Sequence, residues 1–221
     1  MKVIAHIKTD FTSKFGLPRQ SGLIKEISGK IVFEKEYRVV EALRGLEDFS
    51  HIWILWEFSE AKRETWSATV RPPMLGGNKR MGVFATRSPF RPNPIGLSAV
   101  KLEKIDFHDS EGPVIYVSGS DLMDGTPIYD IKPYLAFADA ITEASGGFTE
   151  NLADRTLEVC FPKDLLKIIP EEKQKTLCSV LKSDPRPSYQ NDPERIYGFN
   201  FAGFEISFKV ENKTIIVLDV K

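Results

Sequence analysis

The sequence is poor in the residues on which several chemistries depend. Its 221 residues include two cysteines, Cys160 and Cys178, and three histidines, His6, His51 and His108. None of these falls at a short metal-ligand spacing, so no metal site is expected. Neither cysteine sits in the basic or glycine-rich setting of a nucleophile, and a structural disulfide is not expected in a reducing compartment. No apolar run approaches the roughly 18 residues of a membrane span. The longest candidate, HIWILWEF (His51–Phe58), has a strand's length, so no membrane partner is expected. The opening MKVIAHIKTD lacks the apolar core of a secretory signal, which makes the cytoplasm the expected compartment. G-x-G-x-x-G after a strand, G-x-x-x-x-G-K-[ST], H-E-x-x-H and G-x-S-x-G are all missing. A dinucleotide fingerprint, a phosphate loop, a zincin site and a nucleophile elbow go with them.

Acids are missing from one long stretch. The net charge is only −1, yet between Thr65 and Leu102 there is no Asp or Glu, while Arg71, Lys79, Arg80, Arg87, Arg91 and Lys101 all fall there. Such a segment attracts polyanions. The alternative is that these cations are solvated or paired with carboxylates from other segments.

Within that stretch, TRSPFRPNPIGLSAV starts at Thr86. Pro89, Pro92 and Pro94 fix φ and push Ser88, Arg91 and Asn93 toward extended backbone, so no helix forms there. Arg87 and Arg91 are offered from a loop with little entropy left to lose on binding. Their guanidinium forks suit carboxylates and phosphates. A plain structural reading is a proline-stiffened crossover whose arginines pair with structural acids.

The first half of the chain has the pattern of strands and turns. KVIAHIK alternates, LIKEISGKIVFE reads as two strands meeting at Ser28-Gly29, and YRVVEALRGLEDF as a short helix ending near Gly45. HIWILWEF, MGVFAT, GLSAVKLEKIDF and VIYVSGSDL add further strands. Many short strands with few helices predict a mainly β domain, a sandwich or, in preference, a barrel over residues 1–140. After the polar TEASGGFTENLADR, two helices with Pro170 opening the second, then YGFNFAGFEISFKV and TIIVLDV, predict a small α+β domain over 155–221. In DLMDGTPIYDIKPYL, Asp124-Gly125 marks a turn, and Asp121, Asp124 and Asp130 cluster with Tyr129 and Tyr134. These acids can pair with the basic loop, hold a ligand hydroxyl or amine, act as a base, or merely form turns. For His51 a buried, hydrogen-bonded histidine at the head of an apolar strand is the plainer reading.

Taken in order, HIWILWEF, RPPMLGGNKRMGVFATRSPFRPNPIGLS and DLMDGTPIYDIKPYL resemble the TsaA-like (TrmO-type) family, as do GLPRQSGL near the N-terminus and DPRPSYQ near Asp184. The resemblance covers nearly the whole chain. It implies a β-barrel that binds S-adenosylmethionine, a homodimer, and transfer of a methyl group to N6 of threonylcarbamoyladenosine at position 37 of tRNA. By the same resemblance the cofactor contacts are Pro18, Arg19, Gln20, His51, Ile52, Arg87, Leu97, Asp121, Leu122, Met123 and Asp124.

Methyl transfer from a sulfonium needs an in-line approach and little covalent help from the protein, so positioning dominates. The N6 atom of such an adenine is urea-like and must lose its proton, which calls for a general base. His51, Asp124, Tyr129 and Asp130 are the candidates, left unranked. Arg87 is expected near the cofactor, with Lys79, Arg80, Arg91 and Asn93 toward RNA. A non-catalytic RNA-binding barrel, or a methyltransferase acting on a small metabolite, are the alternatives.

Overall fold

Six strands of the first half of the chain close into a barrel, with burial alternating along His51–Glu57 and the first part of Ile95–Asp106. A computed structural model describes residues 1–61, 65–150, 156–186, 192 and 194–221. The strands are β1 (Ala5–Thr9), β2 (Ser28–Phe33), β3 (His51–Glu57), β4 (Thr69–Val70), β5 (Met81–Gly82), β6 (Ile95–Asp106), β7 (Val114–Ser118), β8 (Pro127–Pro133), β9 (Glu158–Cys160), β10 (Tyr197–Phe201), β11 (Phe204–Glu211) and β12 (Thr214–Val220). Among the described residues, three α-helices, α1 (Ala136–Asp139), α2 (Lys163–Leu166) and α3 (Glu171–Lys182), follow the barrel strands or lie between β9 and β10. The barrel order is β1-β2-β7-β6-β3-β8, closed by pairing of β8 with β1. Along β3 the residues Ile52, Ile54 and Trp56 point into the core, and along β6 Gly96, Ser98, Val100 and Leu102 do so. His51, Trp53, Leu55 and Leu97 therefore lie on the outer face.

The second unit is a sheet of order β10-β11-β12-β9, with β9 parallel to β12. Its core takes Leu177, Val180 and Leu181 from α3 and Phe199, Phe201, Phe208 and Ile215 from the strands. Pro170 stands at the N-cap of α3, where its missing N–H costs nothing. Phe11, Ile24 and Ile27, from the segment joining β1 to β2, belong to this same core. Asp10 also meets Lys173 at 2.5 Å, and Thr176 Oγ1 donates to the Glu26 carbonyl at 3.3 Å. The loop that carries Pro18, Arg19 and Gln20 is thus framed by both units.

Four local expectations change. Leu23–Ile27 forms no strand, because Ile24 and Ile27 leave the barrel for the other core. YRVVEALRGLEDF contributes to three 3-10 turns, Lys35–Tyr37, Val40–Leu43 and Leu46–Asp48, in place of one helix. Gly45 in left-handed backbone (φ 83°) breaks it, and no side chain caps any of the three. MGVFAT is a two-residue strand followed by a 3-10 turn. DLMDGTPIYDIKPYL is a turn that runs into strand β8. Residues 151–155 of the expected linker and 187–190 of DPRPSYQ lie outside the described residues.

Candidate active site

A buried polar relay starts from a glycine. Gly96 and Trp56 are register partners in β6 and β3. A Cβ on Gly96 would stand 2.2 Å from Trp56 Cε2, so only glycine lets the indole lie across β6. In that position Trp56 Nε1 donates to Ser98 Oγ at 2.9 Å, and Ser98 Oγ donates to Asp121 Oδ1 at 2.6 Å. Ser98 is fully buried. Burial pushes the Asp121 carboxyl above the usual aspartate range. The Ser98 hydroxyl, backbone N–H donors of Asp121 and Ser21, and the Arg87 charge pull it back in part.

The Ser21 contact brings the Pro18–Gly22 loop to this acid. Gly22 N donates to the Gly119 carbonyl at 2.8 Å, which fixes the loop to the end of β7. Arg19 Nη2 donates to the Arg186 carbonyl at 3.4 Å. Arg87 Nη1 donates to Gln20 Oε1. Gln20, Asp121 and the Arg87–Ser98 stretch are therefore linked from three separate parts of the chain.

The proline-rich loop is held from within. One guanidinium nitrogen of Arg91 donates to the carbonyls of Thr86 (2.9 Å) and Ser88 (3.3 Å), and Thr86 Oγ1 donates to the Val83 carbonyl at 2.8 Å. These bonds and the prolines fix the backbone on both sides of Arg87, whose side chain is exposed and turned to Gln20. Asn93 and Lys79 are exposed, and Arg80 Nε donates to Thr69 Oγ1 at 2.8 Å.

The segment after β7 is strapped to β1. Thr9 N donates to Asp124 Oδ1 at 2.9 Å, Asp124 N to the Phe11 carbonyl at 2.8 Å, and Gly125 N to the Ile7 carbonyl at 2.8 Å. Leu122 is fully buried, and its carbonyl accepts from Thr9 Oγ1 at 3.2 Å. Asp124 thus shapes the turn that delivers Asp121.

Models of two domain families match the chain. The tRNA-methyltransferase O N-terminal domain matches residues 6–140 and the TrmO C-terminal domain residues 154–221. The chain belongs to the TrmO family. It is 41% identical over 215 residues to the tRNA (adenine(37)-N6)-methyltransferase of Escherichia coli, covering 94% of this chain and 91% of that protein. A Pseudomonas aeruginosa protein provisionally named an S-adenosylmethionine-dependent methyltransferase is 38% identical, covering 98% of this chain and 95% of that one. The crystal structure of a TrmO superposes with a TM-score of 0.79 at 33% identity, covering 100% of this chain and 98% of that one. The mainly β fold with a closed barrel is the fold of this family.

The remaining expected site residues of this TrmO-family chain lie outside the relay. His51 opens β3 opposite Lys101, three residues along β6 from Ser98, or about 10 Å of strand. It is exposed, with Nδ1 2.9 Å from Ser50 Oγ. The Ile52 side chain is in the barrel core, whereas Leu97 is on the outer face. Asp130 pairs with Lys132 at 2.8 Å. Burial, with a hydrogen bond to the Glu57 carboxylate and its charge, pushes the Tyr129 hydroxyl up to about 12. Among the described residues, no three His, Cys, Asp or Glu are grouped to hold a metal ion, and no helix is long and apolar enough to cross a membrane. Gly96, Ser98 and Trp56 complete the site without having been expected there. The sequence shows only a glycine near the start of a strand, and the register supplies the tryptophan that faces it.

Proposed function

We propose that this protein is a tRNA (adenine(37)-N6)-methyltransferase that uses S-adenosylmethionine and methylates N6 of an adenosine already carrying threonylcarbamoyl. The observation that carries the reading is the run of interactions from Gln20 through Arg87 to Asp121, which is bonded to the buried Ser98. The residues fit the donor. The Arg87 fork suits a ligand carboxylate, and a half-buried carboxyl already bonded to Ser98 suits an amine or hydroxyl. S-adenosylmethionine, when bound, supplies an electrophilic methyl group on a sulfonium.

The chain's own residues then position and deprotonate. Gln20, Arg87 and Asp121 would hold the donor's polar groups together. With the donor bound, N6 would take the methyl group as the sulfonium leaves as a thioether, and the N6 proton would pass to a base. Three of the four candidates are committed elsewhere: Asp124 accepts from Thr9 N, Asp130 pairs with Lys132, and Tyr129 holds its own proton at neutral pH. His51, exposed and with Nε2 outside its contact to Ser50, is assigned the base. Arg71, Lys79, Arg80 and Asn93 face the RNA. Leu97, Phe137 and Ile141 leave apolar side chains exposed on the barrel and just beyond β8, which suits a second copy in a homodimer. The cytoplasm, where tRNA is modified, is the working compartment.

The test is mass spectrometry of nucleosides from tRNA incubated with the protein and methyl-labelled S-adenosylmethionine, with threonylcarbamoylated and unmodified tRNA side by side. A methyl gain on threonylcarbamoyladenosine alone is expected. A gain on neither tRNA, despite measured donor binding, overturns the tRNA substrate.

A further inference from the structure

Two large aromatic side chains stand in solvent with no core to explain them. Trp66 is 52% exposed and Phe84 73% exposed, and neither belongs to either hydrophobic cluster. They flank the short ribbon made by β4 and β5, in which Thr69 pairs with Gly82 and Val70 with Met81. The pairing extends outward through Val83 N, which donates to the Ala68 carbonyl at 3.0 Å. One step further out, the rings of Trp66 and Phe84 stack, with centroids 6.1 Å apart and planes 27° from parallel.

The loop that joins the two strands, at the other end of the ribbon, is cationic. Arg71, Lys79 and Arg80 are exposed on the same ribbon, and none pairs with a carboxylate of a described residue. A shallow concavity of about 340 Å³ in that loop is lined by Arg71, Pro73, Gly76, Gly77 and Asn78. Phe84 is three residues from Arg87, so its backbone lies within about 11 Å of the Arg87 backbone. Exposed aromatic faces at one end of a ribbon and cations without a carboxylate partner at the other match the planar bases and the phosphates of a single strand laid along it. A peptide partner would need carboxylates to meet the cations, and an apolar protein face would leave them uncompensated.

We infer that the Trp66–Phe84 pair is a stacking platform for an unpaired base of the RNA, and that Arg71, Lys79 and Arg80 hold phosphates of the same strand further along the ribbon. The inference rests on the RNA reading above and adds a contact separate from the methyl donor's site. Trp66 accepts the base on its free face, while Phe84 backs it and keeps the indole from folding onto the barrel. The ribbon thereby sets where the RNA loop lies relative to Arg87.

Binding of tRNA, measured by fluorescence anisotropy at several salt concentrations, tests this. Trp66→Leu keeps an apolar side chain and loses the stacking surface, and Trp66→Phe keeps a ring. The Leu variant is expected to bind tRNA roughly tenfold more weakly with an unchanged salt slope, the Phe variant nearly as well as the parent. Phe84→Leu is expected to weaken binding less than Trp66→Leu. Donor affinity by calorimetry and the thermal midpoint stay at parental values, since both side chains are exposed. Unchanged tRNA affinity in Trp66→Leu overturns the platform. So does a loss of donor affinity, or a shift from dimer to monomer in sedimentation, which would give the pair to the fold or to a second copy. Failure of the parent itself to bind tRNA would instead sink the RNA reading.

Discussion

Gly16 touches Phe199 across the two units of the fold: a Cβ on Gly16 would stand 2.5 Å from Phe199 Cδ2. Gly16 also has φ of +94°, in the region that favours glycine. Phe199 is buried in the core of the C-terminal sheet and cannot withdraw. The start of the Pro18–Gly22 loop is therefore set by the second unit. Gly16→Ala combines left-handed backbone strain with overpacking and is expected to cost about 2–4 kcal/mol. Donor affinity should fall with it. Urea denaturation and a donor titration check both, and parental donor affinity in a folded Gly16→Ala would separate the loop from its seat.

Ser98 is the middle of the relay and accepts from Trp56 as it donates to Asp121. Ser98→Ala leaves a buried indole N–H and a half-buried carboxyl short of a partner. A stability loss of about 1–3 kcal/mol is expected, with weaker donor binding. The denaturation midpoint and calorimetry read the two effects separately.

Asp121 makes a pH prediction with a definite sign. Burial raises its folded pKa, so the folded chain binds more protons at this group than the unfolded chain does between the two values. Stability contributed by the group therefore falls as pH rises from the ordinary aspartate range through the raised value. Asp121→Asn should be the more stable protein near neutrality, with the gap closing in acid, and should bind the donor less well. Urea midpoints at a series of pH values follow the gap; a gap that widens toward acid contradicts the assignment.

Arg91 and Lys79 should separate cleanly. Arg91 holds the Thr86 and Ser88 carbonyls, so Arg91→Ala loosens the backbone around Arg87. Both donor and tRNA affinity should fall, with the salt slope of tRNA binding close to parental. Lys79 is exposed, and Lys79→Ala should lower that slope by about one while donor affinity is kept. Titrations of each variant with donor and with tRNA at several salt concentrations decide it.

Tyr129 should drop out of the chemistry. Its hydroxyl, pushed up to about 12, donates to Glu57 at neutral pH. Tyr129→Phe should keep every limb of the pH–rate profile below about pH 10. Loss of a basic limb in that variant would return Tyr129 to the list of bases.

Much of this site was legible because proline, glycine and arginine act locally. The prolines of TRSPFRPNP exclude a helix whatever surrounds them, and Asp124-Gly125 forms its turn within four residues. The barrel likewise follows from alternation along β3 and β6. What could not be read depends on who meets whom across the chain. Nothing in the composition of Leu23–Ile27 says that Ile24 and Ile27 turn away from the barrel toward α3 and β10–β12. The Trp56–Ser98–Asp121 relay needs the β3–β6 register before Gly96 has any meaning. Arg91, alike in sequence to Arg87, differs from it only through two backbone carbonyls within reach of its guanidinium.

The shared core of Phe11, Ile24 and Ile27 with Val217 and Val220 has a consequence for how the protein is made. The barrel strands are complete once β8 has been synthesised, but the seat of the loop bearing Arg19 and Gln20 arrives last. At about 5–20 residues per second, the ribosome needs roughly 10 to 40 s between residue 27 and residue 220. Until then three large apolar side chains near the start of the chain have no home. A nascent chain is thus a closed barrel whose Pro18–Gly22 loop gains its seat only when β12 has joined Phe11, Ile24 and Ile27.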